Sequence, residues 1–514
     1  MIFSKSRLNF RILLPVAILM ALLVYLMVWR VRVGMTRYFD VDEFSYLHWT
    51  ANIVKGLTPY KDYFLVVTPG FLWVLAPFVW FASVSTKIFL IGRVIALVIF
   101  AGILAQLGVL FGMTRSRKWA VLPMVILAFL PMPYDKFLEI RPDNLSTLLA
   151  LTGLVLEVFL LTHHGKRERL LWFLCGVFYS VSLLVLAKAI PFVIIGFAVP
   201  VLPVIGKFMR SAKMFRWQDA GNFITLLAGF VLPLAGFFFW TIANGSLPAA
   251  WYLLTRAPIE IYYHLQYYMG ADLFFYPNAS FYGGVGNTIT PGFIVNHTMW
   301  IVALVAGAYR LVTPIRAGKK NETLAELLVA GIFFVSAAAF IKFFPLKHSQ
   351  YLIPIAVFVA YYAADGLSVF FDWLERVGGY ISLGIVLLGF AYLLIVVNKN
   401  VNAPKLLDTN RTQLTEFTTL LTTIPLSARV VDLDGRMLFW RDAYPICCLP
   451  FDEYVPLLSH PPQSLYLYLS SHPADYIYDG DSSRLAELSP ENLAYIRAHF
   501  TPVAGFGERL WKKK

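Results

Sequence analysis

The feature that most constrains this chain is a succession of apolar runs, at about 10–29, 87–112, 119–133, 143–161, 170–187, 189–206, 220–243, 293–313, 325–341, 350–370 and 379–397. A helix needs about 20 such residues to cross the roughly 30 Å of hydrocarbon in a bilayer. Within that layer every backbone N–H and C=O must find its partner inside the segment, which a helix provides and an open strand does not. A water-soluble core cannot absorb the total. Of 514 residues, 59% are hydrophobic and 14% charged, against about 45–50% and about 25% in soluble domains. The expected fold class is an all-α polytopic membrane protein with about eleven transmembrane helices.

The formal charge of +13 resides in short basic blocks between the runs, a pattern that orients helices and meets anionic headgroups rather than nucleic acid. Lys5, Arg7 and Arg11 place the N-terminus in the cytoplasm. No A-x-A-like cleavage site follows the first run, so it is expected to stay as an anchor. One further run, about 66–84, is short, broken by Pro69, Gly70 and Pro77, and rich in aromatics. If it crossed, the blocks at 115–118, 163–169, 207–216 and 316–320 would all face outward, against the positive-inside rule. It is therefore expected to lie at the outer surface as an interfacial or re-entrant helix. The outer face then gathers the loops 30–86, 133–143, 244–292 and 342–350, and the C-terminus lies outside.

From about residue 398 the composition becomes that of a soluble domain. ARVVDLDG, SLYLYLS and DYIYDG alternate like strands, and LSPENLAYIRAHF reads as a helix capped by Ser489. The division expected is a membrane domain over 1–397 and an outer α+β domain over 398–514. Cys175 reads as a core residue. Adjacent cysteines rarely bridge, so Cys447 and Cys448 are expected as free or partly buried thiols.

Charge is concentrated just past the first run, in RYFDVDEFSYLHWTANIVKG. Asp42 and Tyr46, four apart, share a helical face, whereas Glu43 points about 100° away. Carboxylates there serve a helix start through its macrodipole. In an aromatic, membrane-apposed loop they also gain basicity as desolvation raises their pKa. A second group, Glu139, Arg141 and Asp143 in EIRPDN, opens a later span, where an ionisable residue needs a partner or water. Asp143 either caps that helix beside Arg141 or belongs to a site. Lys188 reads as a snorkelling lysine or a phosphate ligand. Arg256 and His264 in the long loop, and Lys347 and His348 near Tyr351, are candidate phosphate or sugar contacts. No metal-ligand spacing and no nucleotide fingerprint occurs, so no cofactor is expected, with a divalent metal left open.

Taken in order, D-E-x-x-Y (Asp42, Glu43, Tyr46), G-x-x-P-Y-x-D (Gly56, Pro59, Tyr60, Asp62), T-P-G (Thr68 to Gly70), R-P-D-N-L (Arg141 to Leu145) and Q-Y-L-I-P (Gln350 to Pro354) resemble the GT-C membrane glycosyltransferases. The resemblance is strongest to the protein O-mannosyltransferase and lipid A aminoarabinose transferase group, over roughly residues 1–400. It implies a polyprenyl-phosphate sugar donor and inverting transfer to a hydroxyl of a lipid, glycan or protein. It also implies Asp42 as general base, with Glu43 and Asp143 holding the acceptor. The leaving phosphate needs a cation, for which Arg256, Lys347 and His348 are the candidates. The chain departs from the family where Pro69–Gly70 replaces Pro-Pro. It departs again where Val66–Val67 stand in place of an acid and a lysine, so no metal or phosphate contact carries over there.

The rival reading is a transporter or flippase for a lipid-linked saccharide, which would place ionisable groups near mid-membrane in broken helices. A scaffold using the outer domain is another. The expected location is a bacterial inner membrane, with membrane lipids as further partners and no nucleic acid.

Overall fold

The computed structural model describes residues 10–163, 168–210, 220–264, 276–317, 320–344, 347–448, 454–480 and 484–514. Lys5, Arg7 and much of the basic blocks 163–169, 207–216 and 316–320 fall outside the described residues, as does the side chain of His264.

Every apolar run becomes helical. The elements are α1 (Phe10–Thr36), α2 (Val41–Val54), α3 (Gly70–Ala82), α4 (Lys87–Thr114), α5 (Leu122–Phe129), α6 (Pro142–Thr162), α7 (Glu168–Val185), α8 (Ile190–Arg210) and α9 (Gly221–Ala243). Then come α10 (Leu247–Trp251), a π-turn (Tyr252–Arg256), α11 (Ala257–His264), α12 (Pro291–Ala317), α13 (Lys320–Phe343) and α14 (Ile353–Asn402). Eight of these, α1, α4, α6, α7, α9, α12, α13 and α14, are long and apolar enough to cross a membrane. α14 is two helices joined at Gly379, whose φ of 69° interrupts the spiral. The apolar part of α8 is shorter, and α5 has eight residues, about 12 Å. The expected crossing at 119–133 is thus a broken one.

Its irregular half is admissible because it is enclosed by protein: every residue of 122–135 except Met124 is buried, against α1, α4 and α14. Arg30 of α1 supplies what the missing helical turn would have. Its guanidinium donates to the carbonyls of Ala128 (2.8 Å), Leu127 (3.2 Å) and Tyr134 (3.3 Å) and lies over the Phe100 and Tyr134 rings.

α3, thirteen residues and about 20 Å long, is too short to cross. Its first residue, Gly70, abuts the backbone of α7 so closely that a Cβ would collide with the Leu184 carbonyl. That contact accounts for glycine in the T-P-G turn. α2, α3, the start of α6, the junction of α7 with α8 and the entry to α14 share one end of the bundle. The opposite end is tied by Arg115–Glu326 (2.6 Å), Arg310–Asp365 (2.7 Å) and Lys118–Asp372 (3.1 Å).

After α14 come α15 (Arg411–Thr423), α16 (Leu465–Ser471), α17 (Pro490–His499) and five strands, β1 (Arg429–Asp432), β2 (Arg441–Asp442), β3 (Tyr476–Tyr478), β4 (Phe500–Pro502) and β5 (Leu510–Lys513). The sheet order is β2-β1-β3-β5-β4, with β1 parallel to both neighbours and β5 antiparallel to β3 and β4. SLYLYLS, expected as a strand, is α16. Its buried residues are Leu465 and Leu469, four apart, while Leu467 is 46% exposed, which is helical periodicity rather than strand alternation. α17 begins as expected, with Ser489 accepting from the Asn492 N–H. Cys447 and Cys448, expected as thiols, form a vicinal disulfide. Both cysteines are buried in an apolar cluster with Trp49 of α2, Tyr60 and Tyr63.

Candidate active site

α2 begins with a capping box. The Asp40 carboxylate accepts from the Asp42 N–H at 3.1 Å, and the Asp40 N–H donates to Glu43 Oε2 at 2.9 Å. This fixes the start of the helix and divides the two acids that follow.

Glu43 points inward and is fully buried. It accepts two bonds from Arg93 of α4 and one from the Ile140 N–H at 2.9 Å. With Asp40 added, its lone pairs are all engaged. The expectation that Glu43 holds an acceptor is therefore corrected: it ties α2 to α4 and to the broken crossing. The signal was Arg93, a lone arginine inside an apolar run that requires a buried partner.

Asp42 points the other way and keeps 44% of its side chain exposed. It meets Arg141 Nη2 at 2.7 Å. Arg141 precedes Pro142, which disfavours helix at the residue before it, and its backbone is extended (φ −140°, ψ 144°). The guanidinium consequently reaches back over its own loop to Glu139 (2.9 Å), Asp143 (3.7 Å) and Asp40 (3.9 Å). Lys136 bridges Asp40 (3.0 Å) and Glu139 (2.9 Å), and Arg37 adds a bond to Glu139 at 3.0 Å.

These charges decide the protonation states. Partial burial works to raise the Asp42 carboxyl, but Arg141 and Lys136 outweigh it and hold the group below the usual aspartate range. The expected gain in basicity is overturned by those two cations. Glu139, pulled upward by burial, is likewise held far down by Lys136, Arg141 and Arg37.

Asp143 lies in the first turn of α6 without making a capping bond. It pairs with Lys188, 2.8 Å away at the α7–α8 junction, and the Lys188 ammonium stands 3.8 Å from the centre of the Tyr351 ring. Tyr351 stacks on Phe344 at 4.8 Å. Tyr46, one turn after Asp42, packs on Trp49 and Phe71 and feels the charges of Arg141, Asp42 and Asp143. His348 is half-buried within the field of Asp42, Lys136, Arg141 and Lys188. Burial lowers its pKa below 6.5, so its imidazole is neutral at pH 7.

The remaining expected residues lie elsewhere. Lys347 is buried and donates to the carbonyls of Phe340, Ile341 (2.8 Å) and Phe344 (2.6 Å), closing the C-terminus of α13 instead of facing a ligand. Asp62 accepts from the Thr58 N–H at 2.7 Å and closes a local turn. Arg256 is exposed at the end of the π-turn, on the segment whose Glu260 bonds Ser459. Lys136 and Lys188 replace Lys347 and Arg256 as the cations beside Asp42. Lys136 was legible only as part of a short loop dense in charge, DKFLEIRPD.

His48, Cys447 and Cys448 bring potential ligand atoms within 4.8 Å of one another. The imidazole nitrogens, however, face Asp432 and Asp442, and the sulfurs are bonded together.

No family model matches the chain, and neither does any curated protein. The fold is nonetheless that of the GT-C membrane glycosyltransferases, and the chain is an integral membrane protein of that architecture. ArnT from Cupriavidus metallidurans bound to undecaprenyl phosphate superposes with a TM-score of 0.58 at 12% identity, over 96% of this chain and 97% of ArnT. Its apo state gives 0.56 at 13% identity over the same shares. The oligosaccharyltransferase AglB from Archaeoglobus fulgidus, in complex with an inhibitory peptide and a dolichol-phosphate, gives 0.53 at 12% identity, over 96% of this chain and 74% of AglB. At these identities the likeness is one of fold.

Proposed function

We propose that this protein transfers a sugar, with inversion, from a polyprenyl-phosphate donor to a hydroxyl acceptor at the outer face of a bacterial inner membrane. In this reading the N-terminus is cytoplasmic and the C-terminal domain external. The observation that carries it is the half-exposed Asp42 carboxylate, held ionised by Arg141 at the end of the bundle where Lys188 and Lys136 also lie. Support comes from two proteins of the same fold, one seen with undecaprenyl phosphate and the other with a dolichol-phosphate.

The acceptor hydroxyl attacks the anomeric carbon, the bond from that carbon to the phosphate oxygen breaks, and the phosphate leaves on its prenyl chain. Asp42 accepts the hydroxyl's hydrogen bond and takes its proton. A carboxylate held below its usual pKa is a weak base, so transfer comes late, once the new C–O bond has made the hydroxyl acidic. Such help is worth about 10²–10⁴-fold. Lys188 directs one of its three N–H donors at Asp143 and has donors for the departing phosphate, whose growing charge Arg141 and Lys136 also stabilise. Tyr46, Tyr351 and His348 line the approach.

The test uses protein in nanodiscs with a panel of radiolabelled undecaprenyl-phosphate sugars and an acceptor extract of envelope glycolipids. Wild type is expected to release undecaprenyl phosphate and label an acceptor, and Asp42→Asn is not. Release by neither, or equally by both, defeats the proposal.

A further inference from the structure

α2 has two working faces. Asp42 and Tyr46, one turn apart, face Arg141, and Trp49 continues that row by packing on Tyr46. His48, Asn52 and Lys55, spaced at i, i+4 and i+7, lie about 120° around the helix and all meet the C-terminal domain. His48 is fully buried, with Nδ1 3.1 Å from Asp432 of β1 and Nε2 3.0 Å from Asp442 of β2. Asn52 donates to Asp442 at 2.7 Å, and Lys55 to the Trp440 carbonyl at 2.6 Å. Below them the loop after β1 lies flat on the helix. Gly435 (φ 93°) leaves no room for a side chain, since a Cβ there would stand 2.8 Å from the Ser45 nitrogen.

We infer that His48 is a positioning residue for the transfer reaction: bridging Asp432 and Asp442, it pins α2 to the C-terminal domain and so fixes where Asp42 stands relative to Arg141. The inference rests on the transferase reading for its kinetic arm only. It makes the domain a structural half of the site rather than an appended module.

Chemistry and geometry agree on the charge. With a carboxylate about 3 Å from each ring nitrogen, Nε2 hydrogen-bonded to Asp442 and Nδ1 in ion-pair contact with Asp432, the imidazole is favoured in its protonated form. Burial acts against that charge, but the two aspartates prevail and its pKa is pushed up to about 9. The groups facing it are Asp432, Asp442 and, across Asp442, the Lys55 ammonium. A raised pKa fixes the sign: the bridge is complete below about 6.5 and is lost as pH rises through about 9.

The experiment compares wild type, His48→Gln and His48→Gln/Asp442→Asn in nanodiscs. It measures transfer kinetics across pH 6–10 and hydrogen exchange of residues 41–54 at pH 7. His48→Gln leaves two carboxylates facing each other, whereas the double variant removes one of them and keeps amide hydrogen bonds. Expected are a kcat about 10- to 100-fold lower in the single variant, a donor KM within about threefold, and faster exchange in α2. The double variant should regain most of kcat and lose the wild-type alkaline limb near pH 9. Unchanged kcat in His48→Gln, or unchanged exchange in α2, overturns the inference. If wild type transfers nothing, the transferase reading falls alone, and the exchange arm still decides the pin.

Discussion

Asp42→Asn and Glu43→Gln alter adjacent acids and should fail in opposite ways. Asp42 is 44% exposed, and Arg141 retains Glu139 at 2.9 Å and Asp143 at 3.7 Å when it is neutralised. No buried charge is orphaned, so the stability change should stay below about 1 kcal/mol. Transfer should fall by about 10²–10⁴-fold. Glu43 is fully buried and provides the carboxylate for Arg93, itself fully buried. Its amide analogue leaves that guanidinium without a counter-charge and turns an N–H toward donors, at a cost of about 3–5 kcal/mol. Intrinsic tryptophan fluorescence during heating reports unfolding, and release of prenyl phosphate reports transfer. Asp42→Asn should melt with wild type and be inactive, while Glu43→Gln should melt early and keep whatever activity its folded fraction supports. Normal turnover by the Asp42→Asn variant, or wild-type stability in the Glu43→Gln variant, would refute the division of roles.

With Asp42 held below its ordinary pKa of 3.8, its ionised form persists as pH falls, so kcat/KM should be flat from pH 7 to about 5. An acid limb in the histidine range, below 6.5, would instead assign the essential base to His348. Gly70→Ala drives a methyl group into the α7 backbone, and overpacking of this kind costs about 1–3 kcal/mol, readable as a lower melting temperature. Arg30→Met strips three carbonyls around α5 of their donor, and each unsatisfied group costs about 1–3 kcal/mol. Heating in detergent should show it to be the less stable of these two variants.

The membrane helices are legible because apolar runs of this length have few other uses, and the runs at 87–112 and 220–243 appear as α4 and α9 with small changes of boundary. What escapes a linear reading is direction. Asp42 and Glu43 are neighbours in sequence and lie on different sides of α2, one half-open and one sealed. Lys347 and Lys188 look alike as lone lysines near span ends, yet backbone carbonyls enclose one and Asp143 with Tyr351 hold the other. The α2–sheet seam escapes for another reason. His48 and its two aspartates are separated by almost 400 residues, and no local pattern ties them together.

The irregular stretch between α5 and α6, which carries Glu139 and Arg141, has a stereochemical result of its own. On a continuous helix Glu139, Arg141 and Asp143 would fan out at about 200° intervals and could not all serve one spot. Extended backbone at Arg141 folds that fan shut, so acids from both flanks converge on a single guanidinium. A charged focus at one end of the bundle is built here by giving up helical regularity for a few residues, where surrounding protein encloses the irregular backbone.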